Sequence, residues 1–461
     1  MSVNDDPRGP PPEEPGPEAQ EVSRRRFLKY AALGGAGTAL AALGAGYLTG
    51  AIRIGGAAPP PWEVSPGVVD YSKVPIPGAG SDVTLRIAQW FDYWPGSFLA
   101  DSSWSFATYM KDTYGINVRY QIDYFTSMEE LFLWVSPLGK KEYDVFVPAS
   151  ELEVLFDHAG WVYNLEEDWL PNLTHLDGSL LGKPASDPWE RRPDGSLRSV
   201  PYFWGTTGIA YNTDYLDRPT VEGLGWELFW QPDVLGYDLR GKMNMLNEMR
   251  DVLLIGFKQA GWNGQAAEGR TPSGELPPDG TQWTSNETDP ARVKAAKDLL
   301  LQARPNLFDF NSTNVIPSLQ TRAALANHSW SGDAMLAATP DARNPWPIDY
   351  VIPKQGTRWW IDAMAIHSKA KNIWVAHEFL NFIHDPEVMK NLAYWNRYSS
   401  TNLTARSLMT PLGDSEWDIA NDPRLYPDAA TWKRLDLSVD VGAAVLETLY
   451  NPAWNELKFG G

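Results

Sequence analysis

The chain has 461 residues and contains no cysteine. This absence excludes disulfide bonds, thiolate nucleophiles, zinc–thiolate sites and the acylated cysteine of a bacterial lipoprotein. Histidine is scarce, with six residues, and none of them forms the HExxH pattern of zinc proteases. We therefore predict no metal site and no cysteine chemistry.

Motifs that bind nucleotide cofactors or activate a serine are also missing. The sequence has no P-loop, no glycine triplet of the dinucleotide-binding type after a strand, and no G-x-S-x-G elbow. Any catalysis would have to depend on carboxylates alone. We predict that the protein has no cofactor and no catalytic residue, and that it is not an enzyme.

Positive charge is in deficit, since the net charge is −19. Residues 1–57 carry six acidic and six basic side chains, so the whole excess of negative charge lies beyond them. Such a surface repels nucleic acid and attracts cations. Aromatic residues, in contrast, are abundant, and the 22 tryptophans offer flat faces for sugars, bases or organic cations.

The N-terminal part has the composition of an export signal followed by a tether. Residues 1–22 are rich in Pro, Glu and Gly and are predicted to be disordered. Residues 23–29 read S-R-R-R-F-L-K, which resembles the twin-arginine export signal, and residues 23–57 are assigned to this signal. Residues 58–81 are rich in Pro and Gly and are predicted to be a linker.

The uncharged stretch at residues 30–52 leaves two outcomes for the signal. At about 1.5 Å per residue it would reach about 34 Å, enough to cross a bilayer and hold the protein to the membrane. The small residues Gly55, Gly56 and Ala57 offer a cleavage site instead. Either outcome predicts a protein that engages the twin-arginine machinery and acts in the periplasm or at the cell surface.

From residue 84 onward the pattern is α/β. We predict strands at residues 85–88, 116–124 and 143–147, alternating with helices at 104–114 and 127–135. This order predicts a parallel sheet. Further helices are predicted at residues 248–260, 290–303, 373–383 and 386–394.

Several short segments combine aromatic and acidic residues, and some of them follow predicted strands. Together they resemble the spermidine/putrescine-binding proteins of ABC importers. Eight motifs of that family occur in order, at residues 90–93, 143–149, 200–207, 248–251, 330–332, 359–362, 397–402 and 425–428. The resemblance runs from about residue 85 to residue 459.

The resemblance implies a periplasmic-binding-protein type II fold, in which each of two α/β lobes has a mostly parallel sheet flanked by helices. One lobe would comprise residues 82–205 and 361–406, and the other residues 206–360 and 407–461. A ligand would bind in the cleft between them. Carried over by position, the ligand-binding residues would be Trp90, Tyr93, Glu151, Glu248, Asp251, Trp330, Trp360, Asp362 and Tyr398.

These residue types suit a polyamine on physical grounds as well. Aromatic faces bury the methylenes and attract the cations, and each ammonium removed from water needs a carboxylate. Glu248 and Asp251 are three residues apart, so both can face the same space from one helix. The predicted partners are therefore a small cationic ligand and a membrane permease, with the receptor itself a monomer.

The sequence departs from the family pattern at three positions, where it has Phe91, Glu151 and Ser438. The ligand class is therefore better defined than the individual amine. Two alternatives stay open at this stage. One is a two-lobed receptor for a sugar or a metal ion, and the other is a secreted glycosidase that uses two carboxylates.

Overall fold

The structure, a computed structural model, describes residues 60–91, 93–100, 102–136, 139, 141–178, 191–276, 283–339, 346–410 and 417–460. Its strands are β1 (Glu63–Ser65), β2 (Val68–Val69), β3 (Asp82–Trp90), β4 (Asn117–Phe125), β5 (Val145–Phe146), β6 (Ser199–Asn212), β7 (Asp233–Val234), β8 (Tyr237–Asp238), β9 (Met243–Met245), β10 (Leu307–Phe310), β11 (Ala326–Trp330), β12 (Ile348–Val351), β13 (Thr357–Ile366), β14 (Ser399–Ser400) and β15 (Leu435–Leu437).

The α-helices surround these strands. They are α1 (Gly96–Leu99), α2 (Phe106–Tyr114), α3 (Met128–Val135), α4 (Ser150–His158), α5 (Arg218–Leu224), α6 (Met249–Ala267), α7 (Pro290–Ala303), α8 (Val315–Gln320), α9 (Ser331–Ala338), α10 (Ile373–Ile383), α11 (Pro386–Asn396), α12 (Leu403–Leu408), α13 (Ala429–Trp432), α14 (Ala443–Val445) and α15 (Asn451–Phe459). Short 3-10 turns join them, and a π-helical turn at Leu446–Tyr450 leads into α15.

Local sequence signals explain where the early helices begin and end. Ser105 caps α2, because its side chain accepts a hydrogen bond from the backbone N–H of Thr108. Gly115 ends the same helix with a φ of 69°, a conformation that glycine adopts without a steric penalty. Ser127 caps α3 in the same manner, through the N–H of Glu130. The helices and strands predicted from the sequence are confirmed, with ends that agree within three residues except at α6, which continues seven residues beyond its predicted end at residue 260.

The first group of strands is the predicted parallel sheet. Strand β3 lies between β4 and β5 and is parallel to both. Leu85 and Ile87 are fully buried on β3, and Val145 and Phe146 are fully buried on β5. Helices cover the sheet, so these apolar side chains are removed from water on both faces.

A second group of strands has a similar arrangement. Strand β9 lies between β10 and β11 and is parallel to both. Helices α6 and α7 pack together beside this group, where Val252, Leu253 and Ile255 are fully buried. The apolar cluster of this region is separate from the cluster that fills the space around α3 and α4.

Two long strands, β6 and β13, join the two groups. The first half of β6 pairs with β13, and its second half, from Thr207 to Tyr211, pairs antiparallel with β11. Strand β13 pairs in turn with β5 of the first group. The chain thus passes from one group of strands to the other along β6, at the level of Thr206 and Thr207.

Residues 62–74 pack onto the fold, although their composition predicts a linker. The hairpin of β1 and β2 is held by Asn164, whose side chain accepts a hydrogen bond of 2.8 Å from the N–H of Val69. Val69 and Val74 are buried in the large apolar cluster. Within the described residues no helix is both long and apolar enough to cross a membrane. The stretch at residues 30–52 and the twin-arginine segment lie outside those residues.

Candidate ligand-binding site

A cavity of about 380 Å³ opens where the two groups of strands meet. This volume lies near the lower end of the range for small-molecule sites, roughly 300–1,000 Å³. All nine residues that the sequence predicts for the site line this cavity, namely Trp90, Tyr93, Glu151, Glu248, Asp251, Trp330, Trp360, Asp362 and Tyr398. The fold therefore brings together side chains that are up to 308 positions apart in the printed sequence.

Four of the acidic residues that line the cavity lie at the N-terminal ends of helices that follow strands. Glu151 lies in the first turn of α4, after β5. Glu248 is the N-cap residue of α6, after β9, and Asp251 lies in the first turn of that helix. Asp333 occupies the first turn of α9, after β11. The partial positive charge of a helix N-terminus stabilises carboxylates at such positions.

Strand β13 contributes a row of three side chains to the same cavity. Arg358, Trp360 and Asp362 alternate along the strand and all line the cavity. This follows from strand geometry, in which every second side chain points to the same face. The sequence predicts Trp360 and Asp362 as ligand-binding residues, but it does not predict Arg358. The alternating pattern R-x-W-x-D was the signal that could have revealed it.

Stacked and edge-on aromatic rings form the walls. The rings of Tyr93 and Tyr398 stack with centroids 5.4 Å apart, and Trp360 contacts Tyr398 edge-on, also at 5.4 Å. The rings of Trp90 and Trp330 meet edge-on from opposite sides of the cavity, with their centroids 6.2 Å apart. These faces carry the negative quadrupole that attracts organic cations.

Two glycines make room for these rings. A Cβ atom on Gly332 would lie 2.5 Å from the ring of Tyr398, and one on Gly205 would lie 2.7 Å from the ring of Trp360. Both glycines belong to segments that the sequence marks as motifs. The two rings can therefore occupy their places in the wall only because neither glycine has a side chain.

Arg358 binds two of the predicted acidic residues. Its Nη2 atom donates to Asp251 Oδ2 at 3.0 Å, and both Nη atoms lie 3.3 Å from Glu151 Oε1. Asp251 Oδ1 accepts a further hydrogen bond of 2.8 Å from the hydroxyl of Thr207. Burial opposes the charge of the guanidinium, but the carboxylates of Asp251 and Glu151 overcome it and raise the pKa of Arg358.

The other two predicted acids, Glu248 and Asp362, have no cationic partner within hydrogen-bonding distance among the described residues. Burial raises the pKa of Glu248 well above its ordinary value, and repulsion from Glu129, Asp251 and Glu151 raises it further. Burial likewise raises the pKa of Asp362, although the hydroxyl of Tyr93 donates a hydrogen bond to this carboxylate and opposes the effect. Both carboxyl groups therefore tend to retain a proton while no cation is bound.

Three further residues refine the description of the site. Asp333 lines the cavity and accepts a hydrogen bond of 2.8 Å from the hydroxyl of Tyr398, but sequence analysis did not include it. Phe91 lines the cavity with 65% of its surface exposed, so it stands at the mouth. Arg250, between Glu248 and Asp251 in sequence, points elsewhere and donates a hydrogen bond of 2.7 Å to Asn286.

The arrangement suits a ligand that combines methylene groups with positive charges. Among the described residues, five carboxylates and one guanidinium line a cavity whose remaining walls are mostly aromatic and aliphatic. Buried carboxylates without a partner are unfavourable, and a bound ammonium would remove that cost. Among the described residues, no cluster of three or more His, Asp or Glu side chains is arranged to hold a metal ion.

Comparison with known proteins gives matches across most of the chain. A family model described as bacterial extracellular solute-binding protein matches residues 104–424. The spermidine/putrescine-binding periplasmic protein of Escherichia coli (strain K12) is 29% identical over 382 residues, which cover 83% of this chain and 93% of that protein. A putrescine-binding periplasmic protein of Pseudomonas aeruginosa is 28% identical over 390 residues, covering 83% and 94%.

Solved structures have the same fold. A structure described as a spermidine/putrescine ABC transporter from Listeria monocytogenes superposes with a TM-score of 0.64 at 26% sequence identity. The superposition covers 82% of this chain and 99% of that one. A lipoprotein of Treponema pallidum superposes with a TM-score of 0.60 at 22% identity, covering 82% and 100%. The predicted fold class, a two-lobed α/β receptor of the periplasmic-binding-protein type II, is confirmed.

Proposed function

Because the chain belongs to the family of bacterial extracellular solute-binding proteins, we propose that it captures a polyamine for an ABC importer. The observation that carries this proposal is the cavity, where Glu248 and Asp362 lie buried among aromatic rings and no cationic side chain in the described part of the chain is within hydrogen-bonding distance of them. A bound alkylamine would supply the missing cations and cover the rings with its methylenes. The names of the relatives in Escherichia coli and Pseudomonas aeruginosa support the same ligand class.

The proposed receptor has two lobes with the bounds that the sequence predicts, and the ligand lies between them. Strand pairing supports these bounds, since β6 changes its partners at Thr206 and Thr207, next to the predicted lobe boundary between residues 205 and 206. Trp90 belongs to one lobe and Trp330 to the other, so their contact lies across the cleft. The loaded receptor then delivers the amine to a membrane permease and acts as a monomer.

Delivery outside the cytoplasm is proposed to follow the twin-arginine route. The segment S-R-R-R-F-L-K at residues 23–29 supports this route, and the apolar stretch at residues 30–52 is the candidate membrane anchor. An extracellular receptor held close to its permease would raise the local concentration of captured ligand at the transporter.

Titration of an Asp362→Asn variant with putrescine and spermidine tests the ligand class. The substitution preserves the shape of the side chain and leaves one ammonium without its carboxylate, at a cost of about 2–5 kcal/mol. This corresponds to a loss in affinity of roughly thirty-fold to several thousand-fold. Tryptophan fluorescence is a suitable probe, because Trp90, Trp330 and Trp360 line the cavity.

Asp349→Asn is the matched control, because it removes the same charge outside the cavity, where Asp349 pairs with Arg218 and Arg424. We expect this variant to bind both amines as the wild type does. Equal affinities of the wild type and Asp362→Asn would contradict the proposal. So would a wild-type protein that does not respond to either amine.

A further inference from the structure

Arg358 is a fixed cation inside a cavity whose other described lining residues are acidic or uncharged. Its side chain is 5% exposed, and the carboxylates it contacts, those of Glu151 and Asp251, are 5% and 2% exposed. Three hydrogen bonds hold the guanidinium between α4 and α6. The charge of Arg358 therefore cannot move away into solvent when a ligand enters.

The position of Arg358 along β13 places it at one end of the ligand's path. Arg358 and Asp362 are four residues apart, which is about 13 Å along a strand at ~3.3 Å per residue. Trp360 lies between them and lines the same cavity. The strand thus presents a cation, an aromatic ring and a carboxylate in succession.

We propose that Arg358 takes the place of one ligand ammonium, so that the cavity selects a diamine over a triamine. This inference rests on the proposed polyamine-binding function and specifies its ligand. Without the guanidinium, Glu151 and Asp251 would be two further buried carboxylates in need of a cation. With it, Asp251 already has a partner for each of its oxygens, the guanidinium and the hydroxyl of Thr207.

The carboxylate oxygens left for a ligand support two ammonium positions. Glu248 Oε1 and Glu151 Oε2 are buried and have no hydrogen-bond partner among the described residues. The side chain of Glu248 does not cap its own helix either, so it is available to the cavity. Asp362, which lies at the opposite end of the β13 row from Arg358, provides the second ammonium position. A third ammonium beside Arg358 would meet a like charge, which disfavours binding.

A ligand carboxylate is a poor match for this guanidinium. Both Nη atoms of Arg358 already donate to carboxylates, and Glu151 and Asp251 place negative charge beside the guanidinium. An amino acid with a side-chain amine would therefore bring its carboxylate into a repulsive field.

Calorimetric titration of the wild-type protein with putrescine, spermidine and lysine provides the first test. We expect putrescine to bind about ten-fold or more tightly than spermidine, and lysine to bind more weakly than putrescine. Tighter binding of spermidine would overturn the inference on Arg358 and leave the polyamine function intact. Failure of both polyamines to bind would instead overturn the proposed function itself.

Substitution of the arginine provides the second test. In Arg358→Met the length is similar and the charge is lost, so we expect the affinity ratio to shift about ten-fold or more toward spermidine. Arg358→Lys retains the charge and should retain the preference for putrescine. A lysine affinity that exceeds that of putrescine and is lost in Arg358→Met would overturn the inference, because Arg358 would then be a carboxylate receptor.

Arg250→Met is the matched control, since Arg250 is also a buried arginine in this part of the fold but contacts Asn286 and a backbone carbonyl. This variant should keep the wild-type ratio of affinities. A shift of the same size in Arg250→Met and Arg358→Met would contradict the role of Arg358. If Arg358→Met does not fold, the wild-type ratio of putrescine to spermidine affinities still decides the question.

Discussion

The hydroxyl of Tyr93 donates a hydrogen bond to Asp362 Oδ2, although the two residues are 269 positions apart. Both side chains are buried, and the ring of Tyr93 stacks on Tyr398 at the same time. The bond favours the ionised form of Asp362 and opposes the rise in its pKa that burial causes. Tyr93 thus serves the cavity both as a wall and as a donor to its carboxylate.

Tyr93→Phe should therefore make amine binding more sensitive to acid. Without the donor, the pKa of Asp362 rises further above its ordinary value, so protonation competes with the amine up to a higher pH. We expect the midpoint of affinity against pH to move upward. Above this midpoint, we expect a loss of affinity of roughly ten-fold to a hundred-fold, the size of one hydrogen bond to a charged group.

Putrescine titrations at several pH values, from about pH 5 to about pH 9, would measure this shift. Tyr211→Phe is the control, because Tyr211 donates to Asp349 outside the cavity. An unchanged midpoint in Tyr93→Phe would show that this hydrogen bond does not govern the charge of Asp362.

Glu248→Gln should stabilise the empty protein while it weakens binding. Burial and the neighbouring carboxylates raise the pKa of Glu248 in the folded state, so the folded protein binds this proton more tightly than the unfolded chain does. Stability is therefore lost as pH rises from the ordinary carboxyl range through the raised pKa. Glutamine does not titrate, and the variant avoids this loss.

Thermal unfolding of the protein without ligand measures how much Glu248→Gln stabilises it. At neutral pH we expect a gain on the order of 1 kcal/mol, or roughly 2–4 °C, and little difference near pH 4. The stabilisation that putrescine confers should shrink at the same time. Glu447→Gln is the control at an exposed position. A variant that is less stable than the wild type at neutral pH would contradict this account of Glu248.

Export should depend on the paired arginines at positions 24 and 25. Replacing both by lysine keeps the charge but removes the guanidinium groups that the export receptor reads, so the protein should remain in the cytoplasm. Cell fractionation, with an antibody against this solute-binding protein, would measure how much of it stays in the cytoplasm. Arg26→Lys, at the variable position of the motif, should be exported normally. Normal export of the double variant would mean that another route is used.

The sequence alone determined the order of the elements and most of the site. Alternation of strand and helix patterns predicted the parallel strands β3, β4 and β5, because apolar periodicity is a local property of the chain. Eight of the nine predicted side chains lie in the ordered segments that resemble the family, and Glu151 follows one of these segments; the structure places all nine around one cavity. Their role in binding remains a prediction that the titrations address.

Only the tertiary structure decided how the charges of the site are paired. Arg358 meets Asp251 and Glu151 across 107 and 207 positions of sequence, and no local pattern links these residues. Their contact depends on the register of β13 against β6, which also turns Arg358 toward the acids. Similarly, residues 62–74 read as a tether by composition, but the burial of Val69 and Val74 outweighs that tendency. Long-range contacts of this kind contribute to the free energy of folding, and the composition of a segment does not reveal them.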